Sequence, residues 1–412
     1  MSIYTDAQEI IHSALEACLP DQAVRRALEG KELVSGRVFL VALGKAAWQM
    51  ARCAAELLGP RLEQGVVVTK HGHSQGDIPR CQVFEGGHPV PDEGSFRGTR
   101  TAMELVQDLA PQDTVVLLVS GGGSALFERP LIPAEELAQL TSALLACGAD
   151  IVEMNTVRKR LSAVKGGRFA QLCAPAQVYS IVLSDILGDP LDMIASGPAY
   201  PDRSTCAQAR AIAEKYQLPL SGQARALLDQ ETPKELDNVE TVITGSVREL
   251  CSAAAAVCQR LGYETHILTD QLCCQAREAG SFLASIARTH GQEGRSLAFL
   301  AGGETVVLLT GKGLGGRNQE LALSAAEGIS GMENALIFSL GSDGTDGPTD
   351  AAGGIVAGQT RGKLAQAGLT IHQVLADNNA YHALEKVGGL IHTGPTGTNV
   401  NDVAVVLRKA DN

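Results

Sequence analysis

The sequence predicts an α/β fold made of two three-layer α/β domains, and three observations carry this prediction. Short apolar segments alternate with segments of helical periodicity, which is typical of parallel strands whose connecting helices cover both faces of a sheet. The polar stretch 230–240 (QETPKELDNVE) interrupts this alternation, which then restarts. A chain of 412 residues also exceeds what one hydrophobic core ordinarily organises. We therefore expect a larger N-terminal domain over residues 1–235 and a smaller C-terminal domain over residues 236–412.

Helices are predicted where apolar residues recur at helical spacing, and strands where short apolar runs end at glycine-rich or polar turns. The predicted helices span residues 5–18, 21–28, 46–58, 95–109, 133–147, 153–164, 205–216, 223–228, 247–261 and 277–290, and a further helix opens on Arg317. The predicted strands span residues 37–43, 65–69, 114–119, 178–183, 241–244, 264–268, 296–300 and 305–310. Pro20 separates the first two helices. The final apolar run, residues 402–407, is free to pair in either domain.

Charge and composition exclude several classes of function. Lys and Arg number 34 against 46 Asp and Glu, which gives a net charge of −12 and argues against binding to nucleic acid. The ten cysteines contain no C-x-x-C pair, so we expect reduced thiols rather than a zinc ribbon or a disulfide framework. The first helix is acidic where a signal peptide is basic, and no apolar run is long enough to span a bilayer. We expect a cytoplasmic protein with a small-molecule substrate and no nucleic-acid or membrane partner, as either a monomer or a homodimer.

The stretch 301–323 (AGGETVVLLTGKGLGGRNQELAL) predicts a strand, a glycine-rich turn and a helix that opens on Arg317. Glycine lets backbone N–H groups approach an anion, and an arginine in the first helical turn calls for a negative partner. We interpret Gly315, Gly316 and Arg317 as a site for phosphate or carboxylate. A tight turn with a solvated arginine is the alternative. Similar turns elsewhere in the chain favour the site, because the carboxyl ends of parallel strands converge on one crevice.

Two of these similar turns are candidates for binding phosphate. Lys45 follows a predicted strand and would reach a phosphate as a point charge, but Ala46 stands where a P-loop has Ser or Thr, so a P-loop NTPase is disfavoured. The second turn is a cradle for nucleotide phosphates formed by Ser120, Gly121, Gly122, Gly123 and Ser124.

Carboxylates at predicted strand ends are candidate metal ligands. Asp185 and Asp189 lie in SDILGDP, and Asp343 and Asp346 lie in GSDGTDGPTD. A divalent cation in phosphoryl transfer needs only one or two carboxylates besides phosphate oxygens, although Asp and Gly also form ordinary turns. His88, in GGHPVPDEG, has no partner at metal-ligand spacing and is interpreted as a loop histidine.

Two further segments are candidates for holding the substrate. Asn155 and Lys159 share one face of a predicted helix, and a solvated face is the alternative interpretation. The loop 393–402 (TGPTGTNVND) offers the hydroxyl of Thr396 and the amide of Asn399, which suit a small polyhydroxy acid or a ribose.

The chain as a whole resembles the glycerate 2-kinase family, of the type with a carboxy-terminal MOFRL domain, some members of which carry the older label hydroxypyruvate reductase. The resemblance rests on nine segments in chain order from Val41 to Val403: VALGKAA, GGHPVPDEGS, LLVSGGGSAL, MNTVRKRLSAVKGGR, VLSDILGDPLDMIASGP, GGETVV, GGRNQELAL, GSDGTDGPTDAAGG and TGPTGTNVNDV. Nine collinear segments are far more specific than a single glycine loop.

The resemblance implies a Rossmann-like N-terminal domain, a smaller MOFRL domain and a cleft between them. It implies ATP- and Mg²⁺-dependent phosphorylation of D-glycerate at its 2-hydroxyl, giving 2-phospho-D-glycerate. In such kinases the lysine and arginine at the positions of Lys45 and Arg317 are the proposed catalytic pair. We expect these cations to neutralise the transferred phosphoryl group, with Mg²⁺ on Asp185 or Asp189. Acceptance of the hydroxyl proton by Asp185 or Asp189 is left open.

Two other functions compete with this interpretation. An NAD(P)H-dependent hydroxypyruvate reductase is favoured by Gly311, Gly313 and Gly316, which match G-x-G-x-x-G, but the acidic residue expected about twenty positions later is not evident. A non-catalytic regulator that binds a sugar acid or a nucleotide would keep the glycine loops. It would not need cations and carboxylates together, so their joint presence favours an enzyme.

Overall fold

The computed structural model describes residues 2–33 and 35–410. The chain forms two compact units. The N-terminal unit comprises Ala23–Leu183 and Asp189–Thr244. The C-terminal unit comprises the chain up to Gln22, the short segment Ser184–Gly188, and the chain from Gly245 onward. The predicted α/β fold with two domains is confirmed.

The secondary structure follows the predicted alternation. The helices are α1 Ile3–Ala17, α2 Pro20–Leu28, α3 Ala47–Leu58, α4 Glu93–Leu105, α5 Gly123–Leu126, α6 Ala134–Ala146, α7 Ile151–Arg160, α8 Arg168–Cys173, α9 Cys206–Lys215, α10 Gly222–Leu228, α11 Val247–Arg260, α12 Ala276–Thr289, α13 Arg317–Gly328, α14 Thr360–Gln366, α15 Ile371–Ala376 and α16 Ala380–Val387. The strands are β1 Val38–Leu43, β2 Leu62–Lys70, β3 Cys81–Gly86, β4 Thr114–Val119, β5 Gln177–Leu183, β6 Val239–Gly245, β7 Glu264–Leu272, β8 Leu297–Gly303, β9 Ala335–Gly341, β10 Gly353–Ala357, β11 Leu390–Ile391 and β12 Asp402–Arg408.

The sheet of the N-terminal unit has the strand order β3-β2-β1-β4-β5-β6. Strands β1 to β5 pair in parallel, and every residue of β1 and β4 is buried, as expected for strands covered by helices on both faces. This is the strand order of a doubly wound, Rossmann-like sheet, in which the order reverses between β1 and β4. Strand β3 was missed in the sequence because its residues are only partly buried and lie in a Gly/Pro/His-rich segment.

The sheet of the C-terminal unit is mixed, with the order β11-β10-β9-β12-β8-β7. Strands β7 and β8 are parallel, whereas β12 is antiparallel to both of its neighbours, β8 and β9. The final apolar run therefore pairs in the C-terminal sheet, and the alternative of packing on the first domain is wrong. Its seven residues are all buried, so β12 lies at the centre of this core.

One predicted strand is wrong. Residues 305–310 form an extended loop, in which Val306 makes a single bridge to Gln275. Leu309 is 79% exposed, because no neighbouring strand covers this apolar stretch. The strand before α13 is therefore β8, and thirteen residues of loop, 304–316, separate it from Arg317.

The compact units divide the chain differently from the predicted boundary between residues 235 and 236. Strand β6 lies beyond that boundary but joins the first sheet beside β5. Helix α1 lies before it but belongs to the C-terminal unit, where the Tyr263 hydroxyl donates to Asp6 at 2.7 Å and Arg260 pairs with Glu9 at 2.8 Å. Pairings between residues this far apart in the sequence leave no local signal.

Two expectations from composition can be compared with the structure. The ten cysteines are free thiols, seven of them at least partly buried. None of the helices in residues 2–33 and 35–410 combines the length and the apolar character needed to cross a bilayer.

Candidate active site

Four neighbouring strands of the N-terminal sheet bring polar residues to their carboxyl ends. Lys45 follows β1, Lys70 ends β2, His88 follows β3, and the loop Ser120–Ser124 follows β4. We call these residues the strand-end cluster. They surround the point where the strand order reverses, which is where doubly wound sheets usually bind ligands.

The backbone of Lys45 is fixed by the adjacent strand ends. Its N–H donates to the Gly121 carbonyl at 2.9 Å, and its own carbonyl accepts from the Thr69 hydroxyl at 3.3 Å. The His73 ring lies against the same carbonyl, with Nδ1 at 3.1 Å. The half-buried side chain is different, since its ammonium group has no hydrogen-bond or ion-pair partner among the described residues. Lys45 is thus a positioned but uncompensated cation.

The loop Ser120–Ser124 combines structural side chains with unused backbone donors. The buried Ser120 hydroxyl donates to the Leu43 carbonyl at 3.2 Å and accepts from the Ala46 N–H at 3.1 Å. By contrast, the N–H groups of Gly121, Gly122 and Gly123 make no hydrogen bond within the described chain. The predicted phosphate cradle is therefore compatible with the backbone of this loop, while the Ser120 side chain has a structural role.

Gly122 explains why this loop needs glycine. Its φ of +83° is in the left-handed region. A Cβ there would lie 3.0 Å from Cδ2 and 3.2 Å from Nε2 of His88, and 3.2 Å from Cε of Lys45. The His88 ring and the Lys45 side chain therefore converge over the same backbone atoms.

The face of α7 that carries Asn155 and Lys159 is buried, so the solvated-face alternative is wrong. Lys159 is 2% exposed and lies 3.1 Å from Asp202 and 3.4 Å from Asp192. Burial opposes ionisation of Asp202, but Lys159 and the surrounding hydrogen bonds lower the pKa of this carboxyl below its usual value. Asn155 accepts a hydrogen bond from Ser196 at 2.9 Å. Both predicted substrate-binding residues thus have partners within the protein.

We expect Lys159→Met to lower the free energy of unfolding by about 3 kcal/mol, because it leaves the fully buried Asp202 carboxylate without its lysine. Urea denaturation followed by circular dichroism measures this. The control is Lys215→Met, which removes an exposed ion pair with Glu153 and is expected to cost less than about 1 kcal/mol. A Lys159→Met variant as stable as this control but unable to bind substrate would restore the predicted binding role.

Two cations, the buried Lys165 and the partly buried Arg158, hold the end of the loop Ser120–Ser124. The Lys165 ammonium donates to the Ser124 carbonyl at 2.8 Å and the Phe127 carbonyl at 3.1 Å, and lies 3.3 Å from Glu128. Burial is the main cause that lowers the pKa of Lys165 to about 8. Arg158 also donates to the Ser124 carbonyl, at 3.3 Å. The Ser124 hydroxyl lies 2.8 Å from that of Ser196, so its side chain is engaged as well.

In the C-terminal unit, α13 begins at Arg317, as predicted. The negative partner that the sequence predicted for Arg317 consists of carboxylates of the protein itself. Arg317 donates from Nε and Nη2 to the two Asp402 oxygens at 2.5 and 2.9 Å, and from Nη1 to Glu304 at 3.0 Å. Burial opposes its charge, but these two carboxylates raise the pKa of Arg317 above its ordinary value. Because a guanidinium has five N–H donors, two remain for a ligand.

The first turn of α13 already binds an anion, the carboxylate of Asp346. Its two oxygens accept from the N–H groups of Asn318 at 3.1 Å and Gln319 at 2.8 Å. A Cβ at Gly316 would lie 2.2 Å from Asp346 Cγ, so Gly316 is needed for this close approach. Burial raises the pKa of Asp346 to about 6. The helix start that the sequence predicted for phosphate thus holds an internal carboxylate, whereas a Cβ at Gly315 would lie 3.3 Å from the Asn378 carbonyl oxygen.

Arg317 and Glu304 open onto a cavity of about 750 Å³ within the C-terminal unit. We call Glu304, Arg317, Asp346 and Asp402 the Arg317 cluster. The residues that line the cavity include Glu304 and Arg317 and the apolar residues Val306 and Leu309. Its size and mixed lining are typical of a small-molecule site.

The predicted metal ligands differ in their surroundings. Asp189 has a φ of +51°, and its Oδ1 is buried with no hydrogen-bond partner among the described residues. Asp343 Oδ1 accepts from the Thr345 N–H at 3.0 Å, and the Asp185 backbone carbonyl accepts from Asn401 at 3.1 Å. In the described part of the chain, no three His, Cys, Asp or Glu side chains gather as a metal site. Asp189 fits a cation best, because an unpaired buried carboxylate oxygen requires a partner.

The loop residues Thr396 and Asn399 also make contacts inside the C-terminal unit. The Thr396 hydroxyl donates to the Ser342 carbonyl at 2.5 Å, and the Asn399 side chain accepts from the Asn401 N–H at 3.3 Å. Asn399 is exposed, and the roles of both in binding substrate remain predictions.

Sequence reasoning missed four residues of these clusters: Lys70, His88, Glu304 and Asp402. His88 and Lys70 became recognisable only once β3 was placed beside β2. Asp402 had a signal, since it ends the polar loop TGPTGTNVND at the start of an apolar strand.

Comparisons with known proteins agree with this architecture. A model described as a domain of unknown function (DUF4147) matches residues 6–229, and the MOFRL family model matches residues 297–402. The D-glycerate 2-kinase of Thermotoga maritima is 52% identical over 407 residues, covering 97% of both chains. The glycerate 2-kinase of Pyrococcus horikoshii is 41% identical over 434 residues, covering 99% of this chain and 98% of the relative. A putative hydroxypyruvate reductase of Agrobacterium vitis is 38% identical, with 97% and 93% covered.

The crystal structure of a Thermotoga maritima glycerate kinase superposes with a TM-score of 0.95 at 51% identity, covering 98% of this chain and 99% of that one. The sheet order and the two matched models define a two-unit α/β protein that combines a DUF4147 region with a MOFRL region. The chain belongs to the glycerate 2-kinase family.

Proposed function

We propose that this protein is a glycerate 2-kinase, a phosphotransferase that phosphorylates the 2-hydroxyl of D-glycerate. The observation that carries the proposal is 52% identity to a D-glycerate 2-kinase along nearly the whole of both chains. The uncompensated Lys45 supports it, because phosphoryl transfer requires a cation to face the charge of the transferred group.

We propose ATP as the phosphoryl donor. The unused N–H groups of Gly121, Gly122 and Gly123 suit phosphate oxygens, which accept hydrogen bonds only. We assign Lys45 and Arg317 to the charge on the γ-phosphoryl group, as the family resemblance implies. Each acts by electrostatic stabilisation, since the reaction needs alignment and charge neutralisation rather than a covalent enzyme intermediate.

We propose Mg²⁺ as the metal, with Asp189 as its carboxylate. The orphan Oδ1 of Asp189 fits a hard cation, and Mg²⁺ at kinase sites commonly takes one or two carboxylates besides phosphate oxygens. When bound, Mg²⁺ neutralises charge on those phosphate oxygens. Asp185 and Asp343 remain predicted ligands with less structural support, and the cytoplasmic location remains a prediction.

A hydroxypyruvate reductase is the second candidate, because relatives carry that name. The structure of the glycine-rich segment counts against it. The run Gly311, Gly313 and Gly316 follows a loop rather than a strand, and the helix start that would face a pyrophosphate binds Asp346 instead.

We expect the purified protein to release ADP from ATP when D-glycerate and Mg²⁺ are both present, and to form 2-phospho-D-glycerate. Coupled ADP detection and ³¹P NMR of the product measure this. Parallel reactions with hydroxypyruvate and NADH or NADPH serve as the control. Oxidation of the reduced cofactor without any ADP release would refute the kinase and favour the reductase.

A further inference from the structure

Three basic side chains of the strand-end cluster have no counter-ion. The side chains of these residues, Lys45, Lys70 and His88, form no ion pair and no hydrogen bond in the described part of the chain. Lys159 and Lys165, in the same unit, differ from them, since each lies within 3.4 Å of a carboxylate oxygen. The cluster therefore lacks an anion.

The acidic residues of the neighbouring segments are engaged elsewhere. Asp92 lies 2.6 Å from the His71 ring, and Glu85 accepts from the Ser74 N–H at 3.0 Å. Burial is the largest cause that lowers the pKa of the His88 ring. The neighbouring Lys45, Lys70 and His73 lower this pKa further. The ring is accordingly neutral near pH 7, where one nitrogen donates a hydrogen bond and the other accepts one.

The cluster matches the chemistry of a 2-hydroxy acid better than that of phosphate alone. Phosphate oxygens at neutral pH mainly accept hydrogen bonds, so a neutral imidazole offers them only one useful atom. A 2-hydroxy acid combines a carboxylate, which suits an ammonium group, with a hydroxyl on the next carbon, which can donate to an imidazole nitrogen. The ammonium group of Lys70 and the imidazole of His88 come from the ends of adjacent strands. Lys70 in β2 pairs with Gly86 in β3, and His88 follows Gly86 by two residues.

We propose that Lys70 and His88 bind the acceptor acid, with Lys70 pairing with its carboxylate and the His88 ring hydrogen-bonding its hydroxyl beside Lys45. This inference rests on the proposed function, because it names the residues that hold D-glycerate for phosphorylation. In this proposal Lys70 is the cation that pairs with the substrate carboxylate. Lys159 does not have this role, because its ammonium group already contacts Asp192 and Asp202.

The test compares Lys70→Met, His88→Ala and His88→Asn with the unmodified protein. We expect each of the first two to raise the KM for D-glycerate about tenfold or more, while the KM for ATP stays within about twofold. His88→Asn keeps a hydrogen-bonding side chain and should recover part of the affinity. Lys386→Met and His372→Ala, both at exposed positions, are the matched controls and should change neither KM.

Calorimetric titration with D-glycerate, without ATP, provides a readout independent of catalysis. Binding by the unmodified protein that weakens in both variants supports the inference, even if the protein proves inactive and the proposed function fails. An active enzyme whose variants keep the KM for D-glycerate overturns the inference alone. A raised KM for ATP with an unchanged KM for D-glycerate also overturns it and assigns the cluster to nucleotide phosphates. Absence of D-glycerate binding to the unmodified protein overturns it as well.

Discussion

Lys45→Met is expected to lower kcat by about 10²–10³, the usual loss when one preorganised charge-stabilising group is removed from an active site. Methionine keeps the length and apolar character of the lysine stem and removes only the charge. Because the Lys45 ammonium has no partner among the described residues, its removal leaves no carboxylate uncompensated. Stability should therefore change by no more than about 0.5 kcal/mol. Steady-state kinetics with D-glycerate and ATP, together with thermal unfolding, measure both quantities.

The exposed Lys386→Met variant is the control for replacing a lysine by methionine, and it should keep the parental kcat. A Lys45→Met enzyme with the parental kcat would contradict the catalytic assignment. So would a loss of kcat that only parallels a loss of folded protein, because the Lys45 ammonium makes no hydrogen bond or ion pair with the described residues.

Lys45 and Lys159 show what the sequence could distinguish and what it could not. Both were identified as candidates from local patterns, a strand-to-helix turn and a helix face. Their surroundings differ, since Asp202 compensates Lys159 while no residue in 2–33 or 35–410 compensates Lys45. Asp202 lies 43 positions away in the sequence, and no local periodicity reveals such a partner.

The fold was predictable to the extent that it depends on local periodicity. Most helices and strands of the doubly wound sheet appear in the sequence because their apolar residues repeat at the helix or strand period. Two of the errors fall where burial and pattern disagree, whereas the mostly buried strands β9 and β10 were missed as well. Strand β3 is only half buried and was missed, whereas the apolar stretch 305–310 is exposed and was predicted as a strand. The exposed stretch 305–310 contributes Val306 and Leu309 to the lining of the cavity beside Arg317.

Arg317 was found because a cation at a helix start is electrostatically unusual, yet the inferred anion proved to be part of the protein. Asp402 lies 85 positions away, and Asp346 takes the backbone donors that a phosphate would have used. The sequence thus predicted a negative partner correctly but could not tell a ligand from a side chain. This changes which substitution tests the role of Arg317.

Arg317→Lys is expected to lower kcat by about 10², with little loss of stability. Lysine keeps the positive charge that faces the Asp402 and Glu304 carboxylates, but it lacks the planar fork that binds Asp402 with two hydrogen bonds and leaves two further donors for the phosphoryl group. Arg317→Ala is less informative, because Asp402, with a side chain only 8% exposed, would lose its cation and the free energy of unfolding would fall by about 1–3 kcal/mol.

The matched control is Arg361→Lys, which changes an exposed arginine paired with Glu327 in the same unit and should leave kcat unchanged. Kinetics at saturating ATP and D-glycerate separate turnover from binding, and urea denaturation reports stability. If Arg317→Lys retains full kcat, the charge alone is sufficient and the bidentate geometry has no part in catalysis. If it instead loses as much stability as Arg317→Ala, then the main role of Arg317 is to compensate Asp402, and the assignment to the transferred phosphoryl group fails.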